Sequence, residues 1–551
     1  MKLILREYLA SLRERGELDV VLPDLLSQMG LNVFSRPGRG TRQDGVDVAA
    51  VGAIDGEAEK VYLFSIKPGN LTRKEWNSDA VQSLRPSLDE ILDAYIPSRL
   101  PAEHRGKPIV ICMCVGGDIQ EQLRPPIKGF TEQAEAKHPG ITFQEWNGDR
   151  LAGLIQDHFL REDLLPERAR THLRKSLAML DEPDIAYKHF KNLVRKLGAT
   201  EGNTDAQNLT ALRQIGICLS IVFAWARDAG NLEAAYRSAE IALLHGWKIA
   251  STHFDRQSKL NLAIAEALTS LIMTYRHVSD DYLTKVVLPH VDKRHGLSSA
   301  VRSQSALDVN LRLFDVLGRL AMTGLWTYWE ANKLAGQEES RIPLSRCDVC
   351  MTAIKHLLNN NPVLRLPVKD DQVVEVSLAL LLLSLDPRFV PFAKSWLKAM
   401  VDQCSFAYTT HGDYPCIVGG YDELLEHPDK GNAEYRRNAT AGSVLYPMIA
   451  LWAALFDADD LYEQIQTFKA KDLEHCNFQL WFPDGSSEEH LYTNSELHGA
   501  SLSPVPVDLP KDQLLKYVFA ECEATPHFDE LSASRYGFWP VDLAPEFRTP
   551  I

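Results

Sequence analysis

The stretch Gly40–Asn70 reads GTRQDGVDVAAVGAIDGEAEKVYLFSIKPGN, and its reading decides the fold. Val46, Val48 and Val51 belong to one short apolar run (GVDVAAVG), and KVYLFSIK at 60–67 is a second. Asp55-Gly56 between them is turn chemistry, so the two runs predict a pair of neighbouring strands. The first carries an acid, Asp47, where the pattern is otherwise apolar. The second ends in Lys67 against Pro68-Gly69, with Ser65 two residues before the lysine.

Outward from this pair, the pattern upstream is helical from Met1 to about Gln28, broken at Gly16 and ended by Gly30 as a C-cap. LNVFSRP then reads as a strand. Downstream, a helix is expected over 78–95 with Asn77 or Ser78 as cap, followed by KPIVICMCVGG (107–117), a continuous apolar run of the kind buried on both faces. A helix over 126–136, the strand ITFQEWN (141–147) and the helical GDRLAGLIQDHFL complete the order α-β-β-β-α-β-α-β-α. This predicts an α/β domain over residues 1–165, a mixed sheet flanked by helices with one site at its strand ends. From 166 to 470 long amphipathic patterns predict an all-α region. Leu219–Trp247 looks like one helix-turn-helix unit of a tetratricopeptide-like solenoid, without a second unit at fixed period. Residues 471–551, richer in Pro, Gly and aromatics, are expected to pack on the helical domain as an irregular extension.

A chain of 551 residues exceeds one comfortable core. Its net charge of -15 excludes a protein that coats nucleic acid through its overall field. A local basic strip is enough for phosphate contact, however, and Arg36, Arg39, Arg42, Arg73 and Lys74 cluster around the two runs. The nine cysteines lack the spacing of a disulfide framework, and Cys347 and Cys350 fall on one helix face, which favours a structural role over zinc. His490 and His498, beside Glu488, Glu489 and Glu496, are eight residues apart rather than four and read as structural or interface groups. VSLALLLLSL (376–385) is too short to span a bilayer and reads as a buried helix. The opening MKLILREYLASLRERGELD gathers acids and arginines too early for a secretory signal, so a cytoplasmic location without membrane contact is expected.

An acid on one strand and a lysine at the end of its neighbour have a physical use in phosphodiester hydrolysis. A carboxylate fixed on a strand supplies a hard ligand to a divalent cation, and an ammonium steadies developing negative charge. With GVDV followed by a strand ending x-x-K, in that order of elements, residues 1–165 resemble the PD-(D/E)XK nuclease superfamily, in its Mrr-like restriction endonuclease branch. The resemblance implies a catalytic set of Asp47, Ser65, Lys67 and Gln82, with Asp47, Glu7 and Asp44 toward Mg2+ or Mn2+. It also implies DNA contacts from the arginines and Lys74 above.

The chain departs from that family at Ser65, where the pattern wants a second acidic ligand. Three readings stay open: Glu7 or Asp44 takes the role, serine suffices with backbone carbonyls and water, or catalysis is lost and nucleic-acid binding kept. The expectation is a DNA endonuclease, the effector of a bacterial anti-phage or restriction system. Its helical region would regulate it, with an NTPase-type partner and a homodimer implied. The alternative is a catalytically degenerate scaffold that binds nucleic acid or a partner protein.

Overall fold

The structure, a computed structural model, describes residues 2–544 apart from 13, 15–17, 37–43, 55, 78–82, 160–166, 200–201, 256–257, 302, 304, 337–339, 411, 413, 428–431, 485–486, 488–498, 527 and 529–530. The chain forms two compact units, Met1–Val278 and Ser279–Ile551. The change of sequence character near 165 therefore marks where the sheet ends, while the helices that follow it up to 278 belong to the sheet's own unit.

The first unit opens with α1 (Lys2–Ser11) and α2 (Asp19–Gln28), then β1 (Asn32–Ser35), β2 (Val48–Gly52) and β3 (Lys60–Lys67). Next come α3 (Arg73–Trp76), α4 (Leu84–Glu90), β4 (Ile109–Val115), α5 (Arg124–Lys137), β5 (Ile141–Trp146) and α6 (Gly148–His158). The strands lie in sequence order, with β1–β2 and β2–β3 antiparallel and β3–β4 and β4–β5 parallel. This is the mixed, helix-flanked sheet the sequence predicts. β4 is buried at every residue and β3 at all but Lys60, which is why both read as apolar runs without alternation. On one face Val51, Leu63, Ile111 and Met113 pack against Leu84, Leu88 and Ile127. On the other Phe64 meets Trp146 edge-on at 5.0 Å.

Two local details differ from the sequence reading. The helix expected over 78–95 begins, among the described residues, at Leu84, and from Ile91 to Arg99 it widens into π-helical turns containing Pro97, which has no N–H to give to the regular ladder. The short α3 follows β3 directly and is closed by a capping box between Thr72 and Glu75.

Helices α7 (Glu167–Ala178), α8 (Pro183–Leu197), α9 (Asp205–Asp228), α10 (Leu232–Ser251) and α11 (Lys259–Tyr282) follow. The expected helix-turn-helix is the α9–α10 hairpin. Among the described residues α9 alone is long and apolar enough to cross a membrane, and 78% of its most apolar window is buried inside the protein.

The second unit is mostly helical. Its helix Val373–Ser384 carries the VSLALLLLSL segment and is buried almost all round, as its composition predicts. Cys347 and Cys350 lie buried on the helix Arg341–Asn360, and burial pushes the Cys347 thiol up to about 11. Short strands β6 (Gly442–Ser443) and β7 (Asn477–Phe478) pair in parallel; β8 (Leu480–Phe482) and β9 (Ala500–Leu502) pair antiparallel. The Trp329 indole N–H donates to the Gly537 carbonyl at 2.7 Å, tying late residues to the helix Ala306–Lys333. His490, His498 and their neighbouring acids lie outside the described residues.

Candidate active site at the open end of β3

Asp47 stands just before β2, where the strand pairing is irregular. Its N–H donates to the Phe64 carbonyl at 2.8 Å, although Phe64's register partner is Val48, so two residues of one chain face one of the other as in a β-bulge. The Asp47 carboxylate then accepts the Ile66 N–H at 2.7 Å. A side-chain oxygen thus fills a position in the hydrogen-bond ladder, in the plane of the sheet, and the two bonds bracket Ser65. Gly45, at φ +82°, makes the approach possible, because a Cβ there would lie 2.0 Å from the Ser87 carbonyl oxygen. Burial first, and the Asp47 charge second, hold the Cys114 thiol far above its ordinary range.

Ser65 and Lys67 alternate onto the face that carries Leu63, opposite Met113 and Val115 of β4. Ser65 is fully buried, and its hydroxyl has no hydrogen-bond partner among the described residues. Lys67 is 6% exposed, with its Nζ 3.7 Å from Glu14 Oε2. Taking an ammonium out of water is costly, and the Glu14 carboxylate beside it offsets that cost.

The C-terminal ends of the parallel strands, where sheets of this kind place ligands, carry further charge. Gly116 ends β4 without a Cβ, which would sit 2.2 Å from the Leu9 carbonyl oxygen, so α1 closes directly over the strand. Arg6 on α1 pairs with Asp118 at 2.9 Å, Lys2 pairs with Asp149 at 3.0 Å, and the Asn70 side chain accepts the Asp118 N–H at 2.8 Å.

The other residues singled out from sequence scatter. Glu7 is exposed on α1. Asp44, in left-handed backbone at φ +46°, pairs with Arg99 at 2.6 Å, a contact separate from Lys67 and Glu14. Arg36 reaches Glu266 at 2.9 Å and Asp24 at 4.0 Å. Arg73 and Lys74 are exposed on α3, directly after the Lys67 strand end. Arg39, Arg42 and Gln82 lie outside the described residues. Glu14 is the residue sequence reasoning missed: it sits in the RERGELD link between two helices, outside any motif, and only the fold brings it to Lys67.

Among the described residues no group of three or more His, Cys, Asp or Glu side chains is placed to hold a metal ion. The Asp47 carboxylate is a hard oxygen donor, of the kind a magnesium-type ion takes singly or in pairs while keeping most of its water. No family model, no curated protein and no solved structure matches the chain.

Proposed function

We propose that the sheet domain is a restriction-endonuclease-like domain and that the protein is a divalent-metal-dependent DNA endonuclease. The observation that carries this reading is the buried ammonium of Lys67, held beside Glu14 at the end of the strand whose neighbour presents Asp47. A buried, paired ammonium at the end of a sheet strand is an arrangement that functional sites use. The order of strands, an antiparallel meander followed by two parallel strands, supports the PD-(D/E)XK resemblance.

In this reading Asp47 would hold Mg2+ or Mn2+, and the ion would supply a polarised phosphate and an acidified water. Lys67 steadies negative charge on the phosphate, and exposed Arg73 and Lys74 take neighbouring phosphates of the DNA. Free nuclease activity endangers a host genome, so control by the helical region, through an NTPase-type partner or homodimer formation, fits an effector of bacterial anti-phage or restriction defence. A solenoid arrangement of α7–α11 belongs to the same proposal.

Ser65 favours a second reading. A neutral, buried hydroxyl where the family keeps an acid suits a degenerate scaffold that binds nucleic acid or a partner without cutting. Incubation of supercoiled and linear DNA with the protein and Mg2+ or Mn2+ separates the two. Cleavage abolished by both Asp47→Asn and Lys67→Met supports the nuclease; binding without cleavage supports the scaffold.

A further inference from the structure

In the second unit, residues 477–482 alternate. Phe478, Leu480 and Phe482 are 1%, 3% and 7% exposed and point into the core. Asn477, Gln479 and Trp481, partly exposed, line a cavity of about 540 Å³. Val373, Val374 and Val418 form apolar wall, and Lys369 and Asp371 add an ion pair at 2.6 Å. Asp370 builds this wall rather than facing a ligand. Its carboxylate accepts the Ser443 hydroxyl at 2.5 Å and the N–H groups of Val444 and Leu445 at 2.7 and 3.3 Å, fixing the start of the helix Leu445–Leu455.

Asn477 gives one amide N–H to Ser503 Oγ at 2.8 Å. Among the described residues, neither the Gln479 carboxamide nor the Trp481 indole N–H has a hydrogen-bond partner. One strand face thus presents an aromatic plane and two groups that both donate and accept. The volume lies in the range of small-molecule sites, roughly 300–1,000 Å³.

We propose that this cavity binds a nucleoside or nucleoside monophosphate, with its base against Trp481 and the base edge read by Gln479 and Asn477. A carboxamide matches the adjacent donor and acceptor of a nucleobase edge, as it does for adenine in DNA grooves. An indole face stacks on any base. The ion pair completes the fit: Asp371 accepts ribose hydroxyls and Lys369 meets a phosphate. The binding is separate from the nuclease reading, because its test contains no DNA.

Calorimetric titration of the full chain with AMP, GMP, CMP, UMP and adenosine tests it. At least one of these binds with Kd below about 100 µM, and adenosine against AMP shows whether the phosphate contributes. Trp481→Ala and Gln479→Ala each weaken binding about tenfold or more, while Trp481→Phe, which keeps an aromatic face, changes it less than about threefold. Circular dichroism and Tm, unchanged in Gln479→Ala and Trp481→Phe, show that the fold persists. Absence of heat with all five compounds at about 1 mM overturns the proposal, as does binding that either alanine variant leaves unchanged.

Discussion

The ammonium of Lys67 lies 3.7 Å from the carboxylate of Glu14, with 7% of the lysine side chain and 27% of the glutamate side chain exposed. That separation is too long for a strong charge-assisted hydrogen bond, so the lysine keeps donors for an arriving anion. Removing one partner of a buried pair costs more than replacing the charge by apolar bulk. Glu14→Gln therefore destabilises the protein by about 2 kcal/mol, whereas Lys67→Met shifts stability by less than about 1 kcal/mol. The double variant recovers most of the Glu14→Gln loss in urea unfolding. Strictly additive losses would show that the two groups do not act as a pair.

Asp47 has a structural task and a proposed chemical one, and two substitutions separate them. Asp47→Asn keeps an oxygen for the Ile66 N–H and holds stability within about 1 kcal/mol, but loses the charge that attracts a divalent cation. Asp47→Ala leaves that N–H without its acceptor and costs about 1–3 kcal/mol. Thermal unfolding and Mn2+ titration, read together, check both statements; an Asn variant that binds Mn2+ as tightly as the parent contradicts the ligand role.

Ser65 is expected to be replaceable. Its buried hydroxyl is unpartnered among the described residues, so Ser65→Ala stabilises the fold by about 1 kcal/mol. Cleavage by Ser65→Ala that matches the parent places no catalytic weight on the hydroxyl; a loss of cleavage at unchanged or raised Tm gives the serine a direct role.

His245 gives the first unit an acid limit. Burial first, then Lys248, Arg195 and Lys191, lowers its pKa from 6.5 to about 4. The unfolded chain takes up the proton first, so this contribution is complete above pH 6.5 and is lost as pH falls toward about 4. The loss amounts to roughly 3 kcal/mol. In His245→Asn the stability of this unit between pH 6.5 and 4 declines less steeply. Equal slopes for parent and variant would show that another group sets the acid limit.

The strands were legible because their chemistry is local. β4 is apolar at each of its seven positions, and the alternative readings of such a run are few. Asp47 and Lys67 were legible for the same reason, as charged residues in apolar runs. Glu14 was not, since its importance arises from a contact 53 residues away in sequence, across the end of α1. The partners of Arg36 were not legible either, because Asp24 and Glu266 lie on α2 and α11 and nothing local announces the pairing. The Asn477, Gln479 and Trp481 alternation was present in the letters, but β7 and β8 are only two and three residues long, too short to register as strands against their Pro- and Gly-rich surroundings.

Since the Asp47 carboxylate stands in for a main-chain acceptor, whatever draws it away must release one specific amide. A cation captured by Asp47 draws electron density from the carboxylate and so weakens its bond to the Ile66 N–H. Hydrogen–deuterium exchange at that single peptide group becomes a readout of occupancy, faster when the ion is bound and slower when it is chelated, in a protein that need not cut anything to be observed.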